Sequence, residues 1–70
     1  MAIEIKLDLV MFQRKVKLTD LAQRVGISAT NLSLLKTGKV KGIRFSTLEA
    51  ICRELGCQPG DVLEYVPDFV

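Results

Sequence analysis

Seventy residues give one small domain, since an independent core usually takes about 50 residues or more, and no room is left for a separate sensor or catalytic domain. With 49 % hydrophobic residues and a mean hydropathy of +0.27, the chain carries too much apolar surface to stay disordered. The net charge is only +2, and the absence of histidine together with just two cysteines removes most metal and acid–base chemistry. No apolar run approaches the roughly 20 residues of a spanning helix, and the alternation Ile3, Glu4, Ile5, Lys6 is unlike a signal peptide. A soluble, cytosolic protein is expected, with no enzymatic activity, no cofactor and no small-molecule ligand.

Five short helices are predicted along residues 1–70, with no linker or repeat. From Leu7 to about Arg14 the apolar residues Leu7, Val10 and Met11 recur at helical spacing, so one face points to a core. A second helix runs from about Leu18 to Val25 and stops at Gly26, which readily takes the left-handed conformation that ends helices. Ser28 is a good N-cap for a third, from Ala29 to about Lys36, with Gly38 ending it. Ser46-Thr47-Leu48-Glu49 has the S-x-x-E form of a capping box and opens a fourth helix to about Leu55, which Gly56 terminates. Cys52 and Cys57 match neither a CxxC pair nor a zinc-ligand spacing and read as reduced core thiols. Pro59 suits the first turn of a fifth helix through about Leu63.

The functional signal lies between Leu18 and Leu35. Leu21, Ala22, Val25, Ile27, Leu32 and Leu35 bury the inner faces of two helices joined by Gly26-Ile27-Ser28. A small residue at Ala22 allows close crossing, and Ile27 plugs the corner. These are the features of a helix-turn-helix, whose second helix presents its outer face to a major groove. On the segments TDLAQRVGISATNLSLLKTG and RFSTLEAICRELGC, the chain resembles the Xre/Cro family of phage-repressor-like DNA-binding domains over roughly residues 5 to 64. The resemblance implies an all-α, five-helix lambda-repressor-like bundle that binds operator DNA, usually as a dimer, and regulates transcription. One departure stands out: where many members have a polar Gln near the start of the second helix, this chain has Leu18, and Lys17 replaces the common capping Ser or Thr. Lys17 then becomes a candidate phosphate contact.

Charge is distributed unevenly. Residues 1–20 carry four basic and three acidic groups, residues 21–48 five basic and none acidic, and residues 49–70 one basic and five acidic. Lys36, Lys39, Lys41 and Arg44 fall close together with Gly38 and Gly42 between them, a mobile cationic loop that is either solvated surface or a phosphate contact. By position in the resemblance, Ala29, Thr30, Asn31 and Ser33 are candidates for base contacts, with Leu34 at the flank, and Lys17, Ser28, Lys36, Thr37, Lys39, Lys41 and Arg44 for phosphate contacts. Of the base readers, Asn31 alone pairs bidentately with adenine, so specificity should be modest. Such short polar residues also serve simply to solubilise a helix.

Leu9 and Phe12 lie opposite the apolar face of the first helix, and the chain ends with Tyr65, Val66, Phe69 and Val70. Two arrangements account for them. Either residues 3–5 pair with 63–66 as short strands and bury these groups within one subunit, or they form the surface of a symmetric homodimer that reads a palindromic operator. The leading function is a minimal sequence-specific transcriptional regulator. The alternative is a protein-interaction module, such as an antitoxin or a regulator-binding adaptor, that holds a partner through the same apolar surface.

Overall fold

The computed structural model describes residues 2–67 as β1 (Ala2–Ile5), α1 (Leu7–Arg14), α2 (Leu18–Val25), α3 (Ala29–Lys36), α4 (Phe45–Leu55), α5 (Pro59–Val62) and β2 (Leu63–Val66). Each of the five helices delivers one fully buried side chain to the centre: Leu7, Leu21, Leu32, Ile51 and Val62 in turn. At roughly 1.5–3 kcal/mol for each side chain removed from water, these five are the hub of a small core. Val10, Met11, Ala22, Leu35, Leu48, Leu55 and Cys57 complete it. The helical spacing of the apolar residues therefore orients α1 to α3 as the sequence predicts, and the fold is mostly helical.

The turn between α2 and α3 is built as expected. Gly26 sits at φ 88°, and the N–H groups of Gly26 and Ile27 both donate to the Ala22 carbonyl, at 2.9 and 3.1 Å. Ala22 is buried and Ile27 packs against the core from the corner. Ser28 then caps α3, its Oγ accepting from the Asn31 N–H at 3.0 Å.

The start of α4 differs from the expectation. Arg44, not Ser46, is the cap residue; it is extended at φ −71° and ψ 142°, and no side chain caps this end. The Leu48 N–H donates to the Arg44 carbonyl at 3.0 Å, so Ser46 is already inside the helix and the S-x-x-E box is not formed. A box needs its serine in extended backbone, and continuing the helix back to Phe45 leaves Ser46 no such freedom. At the other end, the Arg14 guanidinium reaches from α1 to cap α4, its Nε and Nη2 donating to the carbonyls of Leu55 (3.0 Å) and Gly56 (3.3 Å). The fifth helix starts at Pro59 as expected, with the Gln58 N–H donating to the Asp61 carboxylate at 2.9 Å. It ends at Val62, because Leu63 is already extended and enters β2.

The terminal strands pair antiparallel, Ile3 opposite Tyr65 and Ile5 opposite Leu63. Of the groups that pairing was expected to bury, only Val66 is half-buried among the described residues. Ile5 and Leu63 pack on the core, while Ile3 and Tyr65 further out on the same face stay exposed, as do Leu9 and Phe12 on α1. Phe69 and Val70 lie outside the described residues. Glu4 faces Glu64 across the ladder, and Lys6 offsets that repulsion with its Nζ 3.6 Å from Glu64.

Candidate nucleic-acid interface

Two buried leucines, Leu32 and Leu35, fix which way α3 faces. Ala29, Thr30 and Asn31 are exposed at its first turn, whereas Ser33 is half-buried on the side that also carries Lys36. Leu34, four residues after Thr30, continues the outward row and is 41 % exposed. The sequence reading set it at the flank; an apolar residue one turn from Thr30 is the signal that places it on the outer face. Asn31 lies toward the opposite flank, lining a groove with Ile27, Val40, Gly42, Arg44 and Thr47. The structure thus brings Ala29, Thr30, Asn31 and Leu34 to one accessible surface and turns Ser33 partly away from it.

The cationic residues divide into two groups. Lys17, Lys39, Lys41 and Arg44 are exposed and make no ion pair among the described residues. Lys36 is half-buried instead, its Nζ 3.6 Å from the Asp8 carboxylate at the start of α1. Thr37 is engaged too: its hydroxyl donates to the Ser33 and Leu34 carbonyls at 3.0 and 3.2 Å, so its one proton serves the end of α3. Ser28 accepts with its oxygen and keeps its O–H free to donate.

The loop between α3 and α4 is pinned rather than merely mobile. Val40 and Ile43 pack against the core, alternating with exposed Lys39, Lys41 and Arg44, so the buried pair aims the basic residues outward. Two helix N-termini open on the same functional unit. Lys17 and Arg44 are the cap residues of α2 and α4, both extended and neither end closed by a side chain. First-turn N–H groups left this way, beside a basic side chain, suit an anion such as a phosphate. Leu18, which stands where many relatives have a polar side chain, packs against the core and adds nothing to this surface.

An uncharged outward helix face, flanked by aimed cations and seated on a helix-turn-helix, defines a nucleic-acid-binding class of domain. Residues 6–68 match the Cro/C1-type HTH DNA-binding domain, and the chain belongs to that family. It is 59 % identical over 68 residues to a Bacillus subtilis (strain 168) protein named as an uncharacterized HTH-type transcriptional regulator, YozG, covering 97 % of this chain and 81 % of that one. The crystal structure of the transcriptional regulator VanUg (Form II) superposes with a TM-score of 0.72 at 30 % identity, covering 97 % of this chain and 92 % of VanUg. The family is a DNA-binding one and not a class of enzymes. No helix among the described residues is long and apolar enough to cross a membrane.

Proposed function

We propose that this protein is a cytoplasmic transcriptional regulator that reads double-stranded operator DNA with the outer face of α3. The observation that carries the reading is the pairing of two surfaces: a neutral α3 face of Ala29, Thr30, Asn31 and Leu34, and a border of exposed Lys17, Lys39, Lys41 and Arg44. The neutral face enters the major groove, where Asn31 pairs with a base edge and Ala29 and Leu34 touch thymine methyl groups. Ser33 contributes at the edge. The border, with the Ser28 hydroxyl and the open ends of α2 and α4, holds the phosphates and gives the protein its register. Lys36 and Thr37 join only by releasing the partners they hold in the free protein.

The exposed apolar side chains of α1 and the terminal ribbon support a symmetric homodimer. Phe12 is 81 % exposed and Tyr65 55 % exposed, with Leu9 and Ile3 exposed on the same two elements. A two-fold through this face presents two α3 helices to a palindromic site. Sedimentation tests it: changing Phe12 and Tyr65 to Ser should halve the mass, and a parent protein already monomeric at high micromolar concentration contradicts the dimer.

Selection of bound sequences from a random DNA pool, followed by a salt titration on the selected site, tests the reading as a whole. A consensus and a steep fall of affinity with salt are expected, because neutralised phosphates release counterions. No enrichment and no salt dependence would contradict DNA reading and favour a protein-interaction module, whose apolar docking is insensitive to salt.

A further inference from the structure

We propose that Cys52 and Cys57 form a peroxide-reactive dithiol that closes reversibly into an intramolecular disulfide at the end of α4. Their placement follows from how this helix stops. Gly56 takes the left-handed conformation at φ 65°, and the Cys57 N–H folds back to donate to the Cys52 carbonyl at 3.0 Å. The Gly56 N–H donates to the same carbonyl, so the chain turns back on Cys52 through one left-handed residue, a helix ending often accompanied by contact between the side chains of the residues it links. Here both are cysteines. A backbone hydrogen bond of this length sets the two residues side by side, and a disulfide closes where their Cα atoms come within roughly 4.4–6.8 Å and their Cβ atoms face each other.

The two thiols differ in access. Cys52 is half-buried and Cys57 buried, both are free, and both line an open groove of about 450 Å³ with Phe45, Leu48, Gln58 and Pro59. Burial pushes the Cys57 thiol above its ordinary range; the adjacent Cys52 thiol and Asp61 push the same way, and Arg14 opposes them. Cys57 is therefore the poorer first nucleophile and the well-placed second one.

The chemistry balances with hydrogen peroxide as oxidant. The Cys52 thiolate attacks one peroxide oxygen, an S–O bond forms, the O–O bond breaks, and the departing hydroxide is protonated to water. Cys57 sulfur then attacks the Cys52 sulfenic sulfur, the S–S bond forms, the S–O bond breaks, and the hydroxyl leaves as water with the Cys57 proton. Two thiols lose two electrons to one peroxide. A dithiol reductant reverses the closure by exchange. The sulfenic acid is consumed before a second oxidation, so the pair resists irreversible damage.

Arg53 lies between the two cysteines, which makes the product easy to recognise. The full-length protein is treated with hydrogen peroxide, alkylated and digested with trypsin. Expected is a protein two hydrogen atoms lighter, loss of both alkylation sites together, and tryptic peptides still joined across the cut at Arg53 until a reductant is added. In Cys57→Ala, with Cys57→Ser as the second variant should the first not fold, Cys52 sulfenic acid should accumulate and be trapped by dimedone. Wild-type thiols that remain alkylatable after peroxide has oxidised glutathione in the same tube would overturn the proposal. So would intermolecular linkage, or sulfinic acid at Cys52 in the wild type.

Discussion

The two helices of the helix-turn-helix are equal in length and built to the same inner plan, yet their outer faces are opposites. Each spans eight residues, and each sends two side chains fully into the core: Leu21 and Ala22 from α2, Leu32 and Leu35 from α3. Outward, α2 shows Thr19, Asp20, Gln23 and Arg24, the mixed charge of a helix that faces water. The α3 face shows Ala29, Thr30, Asn31 and Leu34, and the one charge on that helix, Lys36, is turned back onto Asp8. The outer face of α3 thus carries neutral donors and acceptors on Thr30 and Asn31 beside the small or apolar Ala29 and Leu34, where α2 carries charge. In the proposed reading, the charge that holds DNA stands at the borders of α3 rather than on it.

The sharpest way to break this contrast is to truncate two leucines of α3 that stand two positions apart. Leu32 has no exposure and Leu34 is 41 % exposed. Leu32→Ala should cost about 2–5 kcal/mol in denaturant unfolding and leave little folded protein. Leu34→Ala should change stability by less than about 0.5 kcal/mol while weakening binding to the selected site. Equal stability losses would mean that α3 is rotated from the orientation described. On the α2 side, Ala22→Leu forces bulk into the crossing of the two helices, and stability lowered by about 1–3 kcal/mol in denaturant unfolding is expected; unchanged stability would show that the crossing is not close.

A smaller effect sharpens the comparison at the join. Ser28→Ala removes the oxygen that accepts from the Asn31 N–H and should lower stability by about 1 kcal/mol. The matching cap position of α2 is Lys17, whose side chain caps nothing, so Lys17→Ala should leave thermal unfolding nearly unchanged and act on DNA affinity instead. Were the two substitutions to cost the same in stability, the distinction between a closed and an open helix end would fail.

Much of this was readable from the residues because it is local. Gly26, Ile27 and Ser28 carry a turn, a plug and a cap within three positions, and the end of α2 and the start of α3 followed from these signals. What escaped was either long-range or decided by competition. The ion pair of Lys36 with Asp8 and the Arg14 cap on α4 join distant parts of the chain, and nothing in a local pattern announces either. Ser46 and Glu49 spell a capping box, but the helix starts one residue ahead of it and the pattern is never used. Lys15 stands in the left-handed region at φ 57° after α1 without being glycine, so this helix end carries no sequence mark. At the candidate interface the exposure of Ala29, Thr30 and Asn31 was legible from the helix-turn-helix pattern, whereas which cations are free was not, since that depends on partners brought by the fold.

In the proposed reading α3 reads bases while its borders hold phosphates, and one paired titration separates the two roles. Asn31→Ala and the double substitution of Lys39 and Lys41 by Ala are compared with the parent on the selected site and on random DNA, across a range of salt concentrations. Asn31→Ala should cost about 1–3 kcal/mol on the selected site, much less on random DNA, and leave the log–log salt slope unchanged. The double substitution should weaken both DNAs about equally and flatten the slope by roughly one unit per lost contact. A flattened slope from Asn31→Ala, or a loss confined to the selected site from the lysine pair, would contradict the division of labour between the helix and its borders.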